Sequence, residues 1–298
     1  MRTNVTFSSH DIPLSGVLYL PDDYDGGTLA GVVVAHPAGG VKEQTAGRYA
    51  EELSKKGFAT LTFDAARQGE SGGEPRYLED PFQRAEDIRS AITFLSTRSF
   101  VDEQRVGILG VCAGGSYVSY TAQTDRRMRA VATVSAVDPA GELLQDPEVR
   151  DFLLNQAGVL RNLEGKGEGA FLTHVNPGTQ AEAQAYPERS MFRESYDYYV
   201  DGIGAHPNSI GWGLLQFDVL AHFRPFEHQD WIAPRPLLMI VGTESDTRHF
   251  SDDAVAQVGP TAELFEIEGA SHMDLYYKDE FVAPAIEKLT EFFTTNLT

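Results

Sequence analysis

The chain alternates short apolar runs with longer amphipathic stretches over most of its length. The apolar runs are rich in β-branched residues and lack polar alternation, as in strands that are covered on both faces. The longer stretches repeat apolar residues at helical spacing. Regular alternation of this kind predicts a parallel sheet with helices on both faces. The predicted buried strands span 30–35, 59–63, 105–109, 130–134, 236–241 and 263–267, and the predicted helices span 44–56, 81–97, 116–123, 251–258 and 281–293.

Two regions depart from this pattern. Residues 4–8 and 14–20 alternate apolar and polar side chains, which predicts an antiparallel pair of strands. Residues 138–231 show no alternation of strand and helix, yet they carry too many aromatic side chains for a disordered linker. We therefore expect an α/β core made of residues 1–137 and 232–298, with residues 138–231 inserted as a mainly helical cap.

The composition of the chain limits the classes of molecule that we expect it to bind. The formal net charge is −20, which argues against nucleic acid and anionic membranes as partners. The chain has one cysteine and therefore no intramolecular disulfide. It shows neither a signal-peptide pattern at its start nor an apolar run long enough to span a membrane. We expect a cytoplasmic protein that binds a small molecule, and the pattern leaves homo-oligomers open.

The run 105–109 leads into Gly110-Val111-Cys112-Ala113-Gly114-Gly115, and a predicted helix leaves this motif. A strand, a tight glycine-flanked turn and a helix, with a nucleophile-capable residue at the apex, form the arrangement called a nucleophile elbow. Cys112 occupies the apex. A lone cysteine is more often a small buried hydrophobe, but the glycine frame favours a nucleophile. Because a helix N-terminus favours negative charge, we expect a lowered pKa for Cys112.

A base and an acid are predicted from the ends of two later strands. Residues 242–246 follow one strand and contain Asp246, and residues 268–272 follow the next and contain His272. Ligands of open parallel sheets bind beyond the carboxyl ends of the strands, so both loops should meet Cys112. His272 is predicted to take the proton of Cys112, and Asp246 is predicted to orient His272. Glu244 is the alternative acid.

The oxyanion hole is predicted from two backbone N–H groups, those of Ala113 and Ala38. Ala38 lies in a glycine-containing loop after the strand 30–35, and His36 in the same loop is expected to hold it by a hydrogen bond. His249 and its acidic neighbours match no zinc-ligand spacing, so no metal is predicted. The glycine-rich stretch 69–73 lacks the lysine of a phosphate-binding loop, and no cofactor is predicted.

These motifs resemble those of the α/β-hydrolase superfamily, in its dienelactone-hydrolase-like branch. The resemblance covers residues 4–137 and 232–298. It implies an α/β-hydrolase fold and a catalytic triad of Cys112, Asp246 and His272. One departure is that dienelactone hydrolases carry a glutamate in the oxyanion loop, where this chain has His36-Pro37-Ala38. The motifs that carry the resemblance are HPAGGVKEQT (36–45), QGESGG (68–73), GVCAGG (110–115), VGTESD (241–246) and GASHMDLY (269–276).

Three functions are compatible with these residues. The first is hydrolysis of an activated ester, lactone or thioester through a thioester acyl-enzyme on Cys112. The second is a non-hydrolytic reaction of natural-product biosynthesis, in which the same pocket binds an aromatic or polyketide-like skeleton and catalyses addition or cyclisation. The third is an inactive binding protein, against which the retained triad residues argue. In the cap, Tyr198, Tyr199 and Trp212 are predicted to contact the substrate.

Overall fold

A computed structural model describes residues 1–141, 143–167, 176–209 and 217–298. Within these ranges, eight strands form one sheet in the order β1-β2-β4-β3-β5-β6-β7-β8. Strand β1 pairs antiparallel with β2, and β2 pairs antiparallel with β4, whereas the remaining neighbours are parallel. The strands are β1 (Arg2–Ser9), β2 (Ile12–Tyr19), β3 (Leu29–Ala35), β4 (Ala59–Phe63), β5 (Val101–Val111), β6 (Ala130–Val134), β7 (Leu237–Gly242) and β8 (Ala262–Ile267).

Helices cover both faces of this sheet. Helices α1 and α10 contact each other over one face, and α2 and α3 contact each other over the opposite face. Parallel neighbours need crossover connections, which the helices supply, and the strands between them are buried on both sides. The α/β-hydrolase fold predicted from the sequence is confirmed. The core helices are α1 (Thr45–Ser54), α2 (Pro81–Ser96), α3 (Ala113–Thr124), α8 (Arg248–Val258), α9 (Asp274–Tyr277) and α10 (Asp279–Asn296).

The described part of residues 138–231 is helical. Its elements are α4 (Pro147–Gly165), α5 (Gln180–Ala183), α6 (Met191–Tyr199), α7 (Phe217–Leu220) and a 3₁₀ helix (Gln229–Ile232). Helices α4 and α7 share a small apolar cluster of their own, whereas α6 packs into the main core through Met191 and Tyr198. The division into a core and a separate cap stays a prediction. No helix in the described ranges is long and apolar enough to cross a membrane.

Candidate active site

The elbow predicted around Cys112 is present as a tight turn. Strand β5 ends at Val111 and α3 begins at Ala113, and between them Cys112 has φ 57° and ψ −125°. A non-glycine residue at positive φ is strained by about 1–3 kcal/mol and needs surrounding structure to hold it. Here the N–H of Cys112 donates to the carbonyl of Val134 at 2.9 Å, and its carbonyl accepts the N–H of Gly115 at 2.8 Å.

Two glycines permit the turn because the backbones approach closely. A Cβ on Gly110 would lie 2.3 Å from the carbonyl oxygen of Gly114. A Cβ on Gly114 would lie 2.5 Å from the carbonyl oxygen of Ala35 in β3. Both distances are far inside van der Waals contact, and the atoms met are backbone atoms that cannot swing away. The Gly-x-Cys-x-Gly pattern is therefore a steric requirement of this turn.

The structure places His272 in the loop after β8, where it is fully buried. Its Nδ1 lies 2.7 Å from the hydroxyl oxygen of Thr247, and its Nε2 lies 3.3 Å from the hydroxyl oxygen of Tyr276. Thr247 is itself hydrogen bonded to the Ser245 hydroxyl at 3.1 Å. Both ring nitrogens of His272 therefore meet hydroxyl groups.

Asp246 does not make the expected hydrogen bond to His272 among the residues that the structure describes. Its Oδ2 instead accepts the N–H of Met191, the first residue of α6, at 2.9 Å. The free N–H groups of a helix N-terminus attract a carboxylate, which explains this direction. Thr247, one residue further along, takes the position beside Nδ1. The alternative acid, Glu244, is half exposed and pairs with Arg189 at 2.8 Å.

Sequence reasoning missed Tyr276 and Thr247. The Tyr276 side chain is fully buried, and its hydroxyl interacts with the Cys112 thiol as well as with His272. The spacing of four residues between His272 and Tyr276 brings the two side chains onto one side of the turn that leads into α9. That spacing was a usable signal. For Thr247 no comparable signal exists, because the neighbouring Asp246 looks chemically better suited.

The loop that carries Ala38 is held in place by a buried ion pair. Arg84 and Glu79 lie 3.2 Å apart and are both almost fully buried. Arg84 donates to the carbonyl of His36 at 2.5 Å, and Glu79 accepts the N–H of Gly39 at 3.3 Å. The pair thus holds the loop at His36 and at Gly39. Pro37 and Ala38 lie between these two residues and line the cavity over Cys112.

His36 belongs to the same support. Its Nδ1 lies 2.6 Å from the carbonyl of Pro37, and its Nε2 lies 3.1 Å from the N–H of Ala65 and 2.8 Å from Arg84. The tautomer with the proton on Nδ1 satisfies all three contacts. Burial, and next the charge of Arg84, hold the pKa of His36 well below its ordinary value. His36 is therefore a neutral anchor of the loop, as expected.

A narrow cavity lies over Cys112, between the loop that carries Ala38 and α6. Tyr199 of α6 lines it, and the buried Tyr199 hydroxyl interacts with Tyr276 outside ordinary hydrogen-bond geometry. Tyr198 is absent from the described lining of this cavity, and it packs edge-on against Tyr276 with ring centroids 5.3 Å apart. Trp212 lies outside the described residues. The described lining comprises Pro37, Ala38, Cys112, Asn176, Met191, Ser195, Tyr199, Met273 and Tyr276.

Polar contacts connect α6 and the segment before it to the loop of His272. Arg189 pairs with Asp274 at 2.8 Å, in addition to Glu244. The hydroxyl of Ser271, the residue before His272, donates to Glu194 of α6 at 2.5 Å. Together with the Asp246–Met191 contact, these bonds connect this helix to the loops after both β7 and β8.

Burial favours the neutral forms of Cys112 and His272. It raises the pKa of Cys112 to about 11, although the Tyr276 hydroxyl and the N–H of Ala113 favour the thiolate. Burial also lowers the pKa of His272 to about 3. The lowered pKa expected for Cys112 was wrong, because desolvation of the thiolate outweighs the groups that favour it.

The raised pKa of Cys112 predicts how alkylation depends on pH. Because only the thiolate reacts, the rate of labelling by iodoacetamide should rise about tenfold per pH unit from pH 7 to pH 10. Free cysteine, with a pKa of about 8.5, should level off within this range. Intact-mass spectrometry would follow the labelling, and Cys112→Ser would report any reaction elsewhere. A plateau near neutral pH would show a stabilised thiolate instead.

Comparison with known proteins places this architecture in a family. The model of the Alpha/beta hydrolase family matches residues 19–285. The uncharacterized protein YcjY of Escherichia coli is 34% identical, with all of both chains covered. Protein PA2218 of Pseudomonas aeruginosa is 31% identical over 98% of this chain and 80% of its own length. The crystal structure of PA2218 superposes with a TM-score of 0.86 at 28% identity, covering 99% of this chain and 94% of that one.

More distant relatives have names that state an activity. The acyltransferase drtE of Aspergillus calidoustus is 26% identical over 85% of this chain and 82% of its own. The polyketide transferase grgF of Penicillium sp is 26% identical over 77% and 76%. A dienelactone hydrolase of Anabaena variabilis, at 17% identity and a TM-score of 0.57 over 100% of this chain and 99% of that one, shares the fold. The chain belongs to the Alpha/beta hydrolase family.

Proposed function

We propose that the protein is an acyl-transfer enzyme that uses Cys112 as its nucleophile on an activated ester, lactone or thioester, with water as the acceptor. The observation that carries this proposal is the strained position of Cys112 between β5 and α3, beside a hydroxyl that also reaches His272. A reactive side chain that is held in a strained conformation near a histidine is costly for a purely structural site.

The proposed reaction proceeds in two halves. His272 receives the proton of Cys112 as the sulfur attacks the carbonyl carbon, and the N–H groups of Ala38 and Ala113 receive the developing oxyanion. The leaving group takes the proton from His272 and departs, which leaves a thioester on Cys112. Water then gives a proton to His272 and attacks that thioester, and the thiol is released. Activated carbonyls suit a thiol that is neutral before substrate binds, whereas amides have poor leaving groups.

Asp246 is proposed as the acid of this triad. Its carboxylate lies in the same loop as Thr247, and it would stabilise the imidazolium of His272 by turning away from the N–H of Met191. In the present arrangement Thr247 fixes the orientation of the ring. The two residues therefore have separable roles, in which one supplies charge and the other supplies orientation.

A second candidate function shares the acylation of Cys112 and differs in the molecule that accepts the acyl group. Cys112 is only 4% exposed and lies under an aromatic helix, which limits access of water to a thioester intermediate. The names of drtE and grgF also point to transfer of an acyl or polyketide group. In this candidate, a carbon or oxygen nucleophile of a second substrate, or of the same chain in a cyclisation, attacks the acyl-enzyme in place of water.

A panel of p-nitrophenyl esters, lactones and acyl thioesters tests the proposal. We expect Cys112-dependent turnover with a burst of product and an acyl adduct on Cys112 by mass spectrometry, and loss of turnover in Cys112→Ala. Added alcohols or enolisable ketones distinguish the acceptors, because a transferase diverts the acyl group to them at the expense of hydrolysis. Absence of any adduct, together with tight binding of a polycyclic aromatic, would favour an addition or cyclisation enzyme or an inactive binding protein.

The acid is tested by comparing Asp246→Asn with Thr247→Val. Loss of the charge behind the imidazolium should lower kcat by roughly 10²–10⁴-fold in Asp246→Asn. Loss of one hydrogen bond to Nδ1 should lower kcat by roughly 10-fold in Thr247→Val, and Thr247→Ser should restore it. Circular dichroism would confirm that each variant folds. Near-wild-type kcat in Asp246→Asn with a large loss in Thr247→Val would assign the whole orienting role to the threonine.

Tyr199 is proposed to donate a hydrogen bond to an oxygen in the acyl chain of the substrate, since its hydroxyl is buried on a residue that lines the cavity over Cys112. Tyr199→Phe should lower kcat/KM about 10-fold to 100-fold for an acetoacetyl thioester and leave a butyryl thioester nearly unchanged. Tyr196→Phe, on the same helix but outside the cavity, is the matched control. Equal losses on both thioesters would show that Tyr199 only packs.

A further inference from the structure

One side chain, that of Tyr276, interacts with both the proposed nucleophile and the proposed base. In the described part of the chain, no hydrogen bond joins Cys112 to His272. The Tyr276 hydroxyl lies 3.3 Å from Nε2 of His272, and it also interacts with the Cys112 thiol. All three side chains are buried, and Tyr276 lines the cavity together with Cys112.

The hydrogen-bonding capacity of these groups allows one direction of hydrogen bonds in which the Cys112 thiol can give up its proton. A tyrosine hydroxyl has one proton to donate and can accept another, and a neutral imidazole has one donor and one acceptor nitrogen. If Cys112 donates to Tyr276, then Tyr276 donates to Nε2 of His272. The ring proton must then be on Nδ1, where the Thr247 oxygen lies 2.7 Å away to accept it. Thr247 can in turn donate to the Ser245 hydroxyl at 3.1 Å. Each hydrogen bond in this series therefore has one donor and one acceptor.

We propose that the Tyr276 hydroxyl carries the proton between Cys112 and His272 and is therefore a catalytic residue of the acyl-transfer reaction. This inference rests on the proposed function, because it concerns the proton that the nucleophile must lose. It assigns to a tyrosine the position that a direct thiol–imidazole hydrogen bond would otherwise occupy.

The step balances without any further reactant. As the sulfur of Cys112 bonds to the carbonyl carbon, its S–H bond breaks and the proton passes to the oxygen of Tyr276. The proton already on Tyr276 passes to Nε2 of His272, which becomes an imidazolium. Tyr276 is neutral before and after, which suits a buried phenol whose pKa lies well above its ordinary value. The reverse movement returns a proton when Cys112 is released from the thioester.

The aromatic ring and the hydroxyl of Tyr276 have separable roles. The ring packs edge-on against Tyr198 and lies with its centroid 5.6 Å from that of His272. Phenylalanine at this position would keep both contacts and remove only the oxygen. Tyr277, the next residue, packs on the other side of Tyr198 and is absent from the described lining of the cavity. The pair thus offers a test variant and a matched control of the same chemistry.

The experiment measures acylation of Cys112 in single turnover by the wild type, Tyr276→Phe and Tyr277→Phe, using an acyl p-nitrophenyl ester that gives a Cys112 adduct. We expect Tyr276→Phe to slow acylation by roughly 10²–10³-fold, the range for loss of proton transfer by a positioned group. Tyr277→Phe should stay within about twofold of the wild type, since surface and packing hydroxyls outside a site contribute little. Thermal melting would show that the variants fold.

A proton inventory in mixtures of H₂O and D₂O separates a relay from a structural role. Two protons move together in the wild type, so its acylation rate should depend on the deuterium fraction along a curve, whereas a straight line is expected for Tyr276→Phe. Acylation by Tyr276→Phe at a rate within threefold of the wild type, or faster, would overturn the relay alone. If the wild type forms no adduct at Cys112 with any acyl donor, the proposed function fails and the relay fails with it.

Discussion

The close approach of three backbone segments at the elbow is the constraint on which the site depends. Strand β5, the first turn of α3 and the end of β3 meet at distances that exclude a Cβ on Gly110 or Gly114. This contact holds Cys112 at positive φ and places it opposite Ala38. The buried pair of Arg84 and Glu79 then fixes the second side of the site, since it ties the Ala38 loop to α2. Removing either partner of such a pair would leave an uncompensated buried charge, which is costly.

Burial raises the pKa of Cys112, which is unusual for the cysteine nucleophile that we propose. A helix N-terminus beside a cysteine often yields a thiolate, and here desolvation outweighs that effect. A neutral thiol and a neutral imidazole need a path for the proton at the moment of reaction. The hydroxyls of Tyr276 and Thr247 lie on that path. In the proposed reaction charge is created only while substrate occupies the cavity, and a thiol that is neutral at other times should react slowly with alkylating and oxidising agents.

The fold and the positions of Cys112 and His272 could be predicted from the sequence, because both depend on strong local patterns. Buried strands have a distinctive period, and the loops at their carboxyl ends converge. Side-chain directions within a loop carry no such pattern. Asp246 and Thr247 are neighbours, and only the three-dimensional path of the loop decides which one faces the imidazole. Tyr276 was missed although its spacing from His272 was a signal, because the chain has many tyrosines and the sequence does not show which of them lies beside Cys112.

The bonds from α6 and Arg189 to the loops of Asp246 and His272 have a consequence for the evolution of this protein. In many enzymes a lid can diversify independently, because it touches the substrate and leaves the reacting groups alone. Here Met191 of α6 binds Asp246, and Glu194 of α6 binds Ser271, the residue before His272. The same helix therefore borders the cavity and stabilises the loops that carry Asp246 and His272. If the proposed reaction takes place at this site, a mutation on α6 that adapts the cavity to a new molecule should also change the turnover rate. Lineages that change specificity through this helix need compensating changes in the loops after β7 and β8, and the two sets of positions should vary together.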